Sequence, residues 1–304
     1  MFAQQQVADS LHNKLATSKN TSEKLNTYIS LASHYKHQYP VEGKKFLNLA
    51  KVIAIQLKDT VHLFKIAEIE ADIYYIIGDT EKEISVIKDA VLLVQQYKNK
   101  QLEARALKLL GNAYSETSDY DKQLKSYLKS FTIAEKLQDT TLLVSLYNNI
   151  GNVYADLKMY KKSLENYEKG LYLHTQSSSP ISKSTAGTLW GNSGIVYEQL
   201  GNYKEALRRV KIAKNIRVAL KNWGQIGGSN IDIANVYEKL QQLDSAIFYN
   251  KQGVFNYKKI QNKGGLLAGY ENLARLYEKQ HLFKTALNYR KREDSLRGII
   301  MNSK

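Results

Sequence analysis

The stretch that decides the fold lies at residues 189–207 and reads LWGNSGIVYEQLGNYKEAL. Two helical patterns meet at Gly201 and Asn202, a pair that suits a left-handed helix end followed by a turn. Gly194 and Ala206 occupy the positions where two antiparallel helices would cross, and small residues there let the backbones approach closely. Tyr197 is placed to fill the space beside the crossing. The stretch predicts a helical hairpin.

The same pattern recurs along the chain. It is marked by tyrosines at intervals of 39, 40, 40, 43, 40 and 40 residues, which are Tyr35, Tyr74, Tyr114, Tyr154, Tyr197, Tyr237 and Tyr277. A fixed period of this size is typical of a solenoid, in which each unit buries its apolar face against its neighbours. The 43-residue interval contains Ser177, Ser178, Ser179 and Pro180, which we interpret as a longer surface loop or a slight joint and not as a domain boundary.

The recurring residues resemble the tetratricopeptide repeat, whose signature is a small residue, a tyrosine three later, a glycine turn, an aromatic residue and an alanine. Further units with this pattern begin at Gly111, Gly151, Ala234 and Ala274. The resemblance implies an all-α, right-handed superhelical solenoid of about seven helical hairpins, and it covers about residues 21–295. We expect a single array over 1–304 with flanking helical segments at 1–22 and 294–304. The 40-residue period implies helices longer than those of the usual unit of about 34 residues.

Composition excludes several kinds of chemistry. The chain has no cysteine, which rules out disulfides and thiolate ligands or nucleophiles. Gly224, Gly227 and Gly228 have no phosphate-loop pattern around them, and we assign them to an inter-repeat turn. His34 and His37 could share a helix face, but no third metal ligand accompanies them. We therefore expect a chain that is not an enzyme and that has no cofactor and no metal site.

The best candidate site is a row of asparagines. In the family that the repeats resemble, the first helix of each unit lines a concave groove for peptides, and here Asn112, Asn152 and Asn235 directly follow the small crossing residue. Amide side chains offer the donors and acceptors that a peptide backbone needs. Ordinary hydrogen bonding between helices is the alternative interpretation.

A second alternative is the clamp with which chaperone-binding members of the family hold a terminal carboxylate. Lys108, Asn112 and Asn149 match its first three positions. Thr188 and Asn192 occupy the last two, where the clamp has basic residues. Without those two charge-assisted hydrogen bonds a carboxylate would be held more weakly. A general peptide groove is the interpretation that we favour.

Positive charge is concentrated in the second half of the chain. The net charge is +15, and residues 151–304 carry 25 basic and 12 acidic side chains against 19 and 17 in residues 1–150. The densest run, on one predicted helix, is Lys204, Arg208, Arg209, Lys211, Lys214, Arg217 and Lys221. Such a field attracts an acidic protein or an anionic membrane surface. A solvated outer face is the simpler interpretation, and we expect no nucleic-acid partner.

The ends carry a second resemblance. Residues 2–6 with Asp9, Ser10 and Leu11 look like the start of a mature exported protein, and Asp294, Ser295 and Leu296 look like the segment that precedes a membrane span. Both features resemble sensor regions of membrane-bound histidine kinases from Bacteroidetes-like bacteria. This resemblance implies an extracytoplasmic, periplasmic domain of a membrane-anchored two-component signalling protein. A homodimer is a further expectation, since exposed terminal units often pair. A cytoplasmic adaptor that bridges proteins is the alternative.

Overall fold

The structure is a computed structural model that describes residues 2–18, 20–176 and 180–301, and within these ranges it contains fifteen α-helices and no strand. The all-α prediction is confirmed. In chain order the helices are α1 Phe2–Thr17, α2 Thr21–Tyr35, α3 Pro40–Gln56, α4 Thr60–Ile77, α5 Thr80–Gln96, α6 Lys100–Ser115, α7 Tyr120–Lys136, α8 Thr140–Asp156, α9 Tyr160–Thr175, α10 Pro180–Gln199, α11 Tyr203–Ala219, α12 Trp223–Lys239, α13 Leu243–Lys259, α14 Lys263–Lys279 and α15 Phe283–Met301.

Eleven of the fifteen helices in the described ranges end in the same kind of turn. One residue of the turn has a positive φ, as at Lys98 (56°), Gln138 (53°) and Gly201 (74°). These turn residues are spaced 20 apart on each side of the long interval: Lys58, Gly78, Lys98, Ser118, Gln138 and Lys158, then Gly201, Lys221, Gln241, Gln261 and His281. The 40-residue period of the sequence is therefore two similar halves, each made of one helix and one short turn.

The next helix begins directly after the turn, in most cases on a capping side chain. The carboxylate of Asp79 accepts a hydrogen bond from the Lys82 backbone N–H, and the amide oxygen of Asn202 accepts one from the Glu205 N–H. Asp and Asn are strongly preferred at this position, because they satisfy a backbone donor that has no partner within the helix. A residue with a positive φ and a capping side chain thus mark most of these boundaries, while Met159 and Gln242 make no side-chain capping bond.

The residues cluster into two compact units, Met1–Leu142 and Leu143–Lys304. In the first unit, consecutive helices pack as the hairpins α2–α3, α4–α5 and α6–α7. Its core contains Leu25 from α2, Leu47 from α3 and Ile73 from α4, each at most 2% exposed. Each hairpin therefore buries its apolar face against the helices next to it, as expected of a solenoid.

The second unit repeats this arrangement with α10–α11, α12–α13 and α14–α15 as hairpins. Here the first helices of successive hairpins also touch, since α10 contacts α12 and α12 contacts α14. Tyr167 and Leu189 are at the centre of one core cluster, and Leu273 and Leu276 are at the centre of another. The adjacent first helices form a shared surface, and this surface carries the candidate site.

The period tyrosines pack between helices, and a lysine ammonium group lies over the ring of several of them. Tyr114 and Tyr277 are 8% and 9% exposed. The ammonium groups of Lys88 and Lys251, each 26 residues earlier in the chain, lie 6.0 and 5.5 Å from the centres of these two rings. Such cation–π contacts contribute about 0.5–1 kcal/mol each at exposed sites. Some of the chain's many lysines therefore form contacts between successive hairpins.

The structure differs from the prediction for the glycines of residues 224–228, and it describes only part of the predicted loop. Gly224, Gly227 and Gly228 are helical, because Asn222 caps α12 and the turn residue is Lys221. Gly227 is needed where the Tyr257 ring approaches: a Cβ atom there would lie 2.8 Å from the ring. Of the predicted loop, residues 177–179 lie outside the described residues, and Pro180 is the first residue of α10.

Candidate functional site

Three of the predicted asparagines form one hydrogen-bonded cluster between α8 and α10. The Asn192 amide nitrogen donates to the side-chain oxygens of Asn148, at 3.0 Å, and Asn152, at 2.9 Å. The Tyr167 hydroxyl also donates to the Asn152 oxygen, at 2.7 Å, and Asn148 donates to Asn149 at 3.2 Å. These contacts match the alternative of hydrogen bonding between helices. The sequence did not single out Asn148, which connects the others.

The other half of the predicted clamp lies in the first unit, on α6. Asn112 is exposed, and its side-chain oxygen accepts a hydrogen bond of 2.8 Å from the Tyr127 hydroxyl. Lys108 is half-buried, and burial, followed by the nearby Arg105, lowers the pKa of its ammonium group. Since Asn149 belongs to the second unit, a clamp that joins all three residues stays a prediction.

The first helices of the last three hairpins, α10, α12 and α14, share an open cleft of about 460 Å³ in the second unit. One of the predicted residues, Asn235, lies in it. The side chains that line the cleft are Glu198, Asn235, Glu238, Lys239, Gln241, Asn272, Arg275 and Lys279. Carboxylates, cations and amides thus converge on one concave surface.

A buried carboxylate organises one wall of this cleft. Glu238 is 7% exposed, and it accepts hydrogen bonds from Arg275 and from the Lys279 ammonium group, the latter at 2.7 Å. Burial acts to raise the pKa of Glu238, but the hydrogen bonds from Lys279 and Arg275 outweigh it and leave the pKa below its usual value. Arg275 also donates to the Asn272 side-chain oxygen at 2.9 Å. The cations are therefore held in fixed positions.

Two other residues that line the cleft, Asn235 and Glu198, have fewer partners. Asn235 is half-buried, and its amide makes no hydrogen bond to any other residue that the structure describes. Burial raises the pKa of Glu198, with Lys239 acting against it. An unengaged amide that faces fixed cations offers a donor, an acceptor and positive charge to one ligand. This set of groups fits an extended polar chain such as a peptide.

Two members of the predicted basic surface are buried, which corrects the prediction. Arg209 and Arg217 are 6% and 8% exposed. Arg209 pairs with Glu168 at 2.5 Å and Glu205 at 2.7 Å, while Arg217 donates to the Ser229 hydroxyl at 2.6 Å. Both side chains therefore connect helices. A buried guanidinium group requires polar or charged partners, so both side chains interact with groups inside the unit and add little to its surface charge.

The other five basic residues lie at the surface, but most of them also have partners. Arg208 bonds to Glu205, and this pairing first of all lowers the pKa of Glu205 to about 2. Lys211 and Lys214 cover the rings of Tyr237 and Tyr249 at 5.8 and 5.2 Å. Lys204 and Lys221 are exposed. The surface charge of α11 and its turn is accordingly weaker than a count of residues predicts.

Neither a metal centre nor a membrane span is found in the described ranges. No group of three His, Cys, Asp or Glu side chains there is arranged to hold a metal ion. Among the same residues, no helix combines the length and the apolar character needed to cross a bilayer.

Comparison with known proteins defines the class of repeat. Residues 104–137 and 144–174 match a family model described as tetratricopeptide repeat. These segments cover the hairpin of α6 and α7 and most of the pair α8 and α9. The chain therefore contains tetratricopeptide repeats. No curated protein matches the sequence.

Several solved structures have a similar fold. The apo form of RapI is 14% identical, with a TM-score of 0.69 over 92% of this chain and 99% of that one. A Rap protein complexed with Competence and Sporulation Factor is 13% identical, with a TM-score of 0.68 over 99% and 92%. The apo quorum sensor NprR from B. thuringiensis is 13% identical, with a TM-score of 0.56 over 96% and 92%. This likeness supports the fold, a repeated helical-hairpin solenoid.

Proposed function

We propose that this chain is a non-catalytic domain that binds an extended peptide, or an extended segment of a protein, in the cleft formed by α10, α12 and α14. The observation that carries the proposal is the combination of the Asn235 amide with the fixed Arg275 and Lys279 cations in one open cleft of about 460 Å³. Such a cleft can bind main-chain amides and a ligand carboxylate at the same time.

Two of the structures with this fold support a ligand of this kind. One is a Rap protein complexed with Competence and Sporulation Factor, and the other is a quorum sensor. Because fold alone does not determine function, the argument rests on the cleft and not on this likeness. The asparagine cluster between α8 and α10 then has a supporting role, since its amides hold the first helices in register.

A capture experiment tests the cleft. A degenerate pool of short peptides is passed over the immobilised full chain, and the retained peptides are quantified by mass spectrometry. We expect the double variant Asn235→Ala and Asn272→Ala to retain about tenfold less peptide, because two side-chain amides are lost. Asn288→Ala, which removes an exposed asparagine of α15, is the matched control. Equal retention by both variants would reject the cleft as the peptide site.

We further propose the finer role of an extracytoplasmic sensor region of a two-component signalling protein, with a cytoplasmic adaptor as the alternative. Ligand binding would act on signalling only through its different affinity for two states of the domain. The exposed Lys204 and Lys221 would face anionic lipid, where each contributes about 1 kcal/mol. Vesicles that contain anionic lipid should retain the chain at low salt. Failure to retain it, compared with neutral vesicles, argues against the membrane-proximal role.

A further inference from the structure

One carboxylate breaks the internal pattern of the repeats. The position nine residues after each period tyrosine is Ala206, Ala246 and Ala286 in the last three hairpins. It is Ser163 in α9, Gln123 in α7, Glu83 in α5 and, after Tyr35, Lys44 in α3. The chain thus builds the same helical hairpin with alanine at this place. A carboxylate is not required there for folding.

The Glu83 carboxylate is also costly in its position. The residue is 7% exposed, and its Oε2 atom has no hydrogen-bond partner among the described residues. Burial, and then the nearby carboxylates of Glu116 and Asp72, raise the pKa of Glu83 to about 7. A buried acid without a partner destabilises the folded state, since it loses its hydration without compensation. Such a group is typical of a functional site.

Glu83 lines a cavity of about 270 Å³ between α4, α5 and α6. Glu116 lines it as well, and neither carboxylate has an ion-pair partner in the part of the chain that the structure describes. The other walls include the aliphatic side chains of Ile87 and Leu109 and the ring of Tyr75, which is 56% exposed. The cavity therefore joins an anionic end to an apolar and aromatic wall.

The two remaining carboxylates around this cavity are already neutralised. Asp72 pairs with Lys36 at 2.6 Å, and Glu68 pairs with Arg105 at 3.1 Å. The negative charge without a counterpart is thus concentrated at Glu83 and Glu116. Asn112, which the sequence analysis selected for peptide contacts, lines the same cavity.

We propose that this cavity binds the side chain of a lysine or arginine in a peptide, with the cationic head between Glu83 and Glu116 and the aliphatic stem along Ile87 and Leu109. Both side chains combine an apolar stem with a charged end, which is the division that the cavity shows. The Tyr75 ring adds a surface on which a cation can lie. The length of the apolar wall beside the two carboxylates favours a side chain with a stem over a free cation.

Two degenerate peptide pools test the proposal. In one pool the central residue is arginine, and in the other it is citrulline, which has nearly the same shape without the charge. At about pH 8 and about 50 mM salt, where surface charges are only partly screened, the full chain should retain the arginine pool about tenfold better. The variants Glu83→Ala and Glu83→Gln, which place residues found in other hairpins, should lower this ratio to about one.

The control is Glu81→Gln, which removes an exposed carboxylate from the same helix and leaves the cavity intact. It should keep the full preference for arginine. A ratio of about one in the unmodified chain, or equal ratios for the variants at residues 81 and 83, would overturn the proposal. Because both pools can also bind in the cleft of the second unit, a ratio of about one with retained total binding in the unmodified chain rejects only this cavity. In the Asn235→Ala and Asn272→Ala variant the cavity is intact, so the preference for arginine should persist, and weaker retention of both pools with that preference kept concerns only the cleft.

Discussion

Asparagine has three different roles in this chain, and the sequence separates only one of them from the others. Asn202 and Asn222 cap helices, and their place after a turn residue makes this role predictable. Asn152 and Asn235 occupy equivalent positions in their repeats, yet Asn152 is bonded to Tyr167 and Asn235 faces a cleft. The difference depends on which side chain the neighbouring helix supplies. A repeat pattern therefore predicts the position of an amide but not its partner.

Glu83 yields a prediction at the level of a single residue. Its pKa of about 7 in the folded protein, against 4.5 for the free side chain, means that the folded state binds the proton more tightly. The stabilising contribution of the neutral acid is therefore complete below about pH 4.5 and is lost as pH rises through about 7. Glu83→Gln should match the unmodified chain near pH 5 and exceed its free energy of unfolding by about 1–3 kcal/mol near pH 8.

Urea unfolding at several pH values between these limits measures the effect. Glu81→Gln changes the net charge equally but lies in solvent, and it should leave the curve of stability against pH unchanged. If the curves for the variants at residues 81 and 83 run parallel, the buried carboxylate has an ordinary pKa and this account of Glu83 is wrong.

At the level of elements, the sequence predicted the hairpins better than their turns. Gly201 was recognised as a left-handed helix end, and its φ of 74° confirms this. The equivalent turns at Lys58, Lys98 and Gln138 have the same conformation without glycine. Nothing in the local sequence marks them, because these residues carry no preference for a positive φ. Their conformation is imposed by the packing of the helices on either side.

Helix contacts in the α8–α9 pair give a prediction for packing. A Cβ atom at Gly151 in α8 would collide with the ring of Tyr167, which is 1% exposed and has no room to move. Gly151→Ala should lower the free energy of unfolding by about 1–3 kcal/mol, as overpacking of a core does. Gly298→Ala is the control: this site in α15 has open space, and alanine there should raise helix stability by up to about 1 kcal/mol. Urea unfolding measures both variants. Similar changes in the free energy of unfolding at the two sites would contradict the close packing at Gly151.

At the level of the molecule, the repeat pattern predicted the class of fold but does not determine how the hairpins group into compact units. We expected a single array over 1–304, and this organisation stays a prediction. The described residues cluster into two units that divide within α8, away from the irregular 43-residue interval. Contacts are what define such units, and a period in the sequence contains no information about how many contacts each junction makes.

The distribution of charge shows a similar limit. The excess of basic residues in the second half was visible in the sequence, but the burial of Arg209 and Arg217 was not. A helix with many basic residues resembles an exposed face until the carboxylates of neighbouring helices are placed beside it, as Glu168 is placed beside Arg209. The sequence likewise predicted only part of the candidate peptide cleft. Asn235 was predicted, whereas Glu238 and Lys279 became recognisable only with the packing of α12 against α14.

The central claim is that a peptide occupies the cleft of α10, α12 and α14, and site-specific photo-cross-linking tests it most directly. A photoreactive phenylalanine analogue replaces Gln241, which lines the cleft, or Asn288, which is exposed elsewhere on the second unit. Each protein is irradiated with the degenerate peptide pool, and the cross-linked peptide per protein is measured. We predict about tenfold more cross-linking from residue 241 than from residue 288, as expected of a bound peptide. Equal yields from the two positions would contradict the claim.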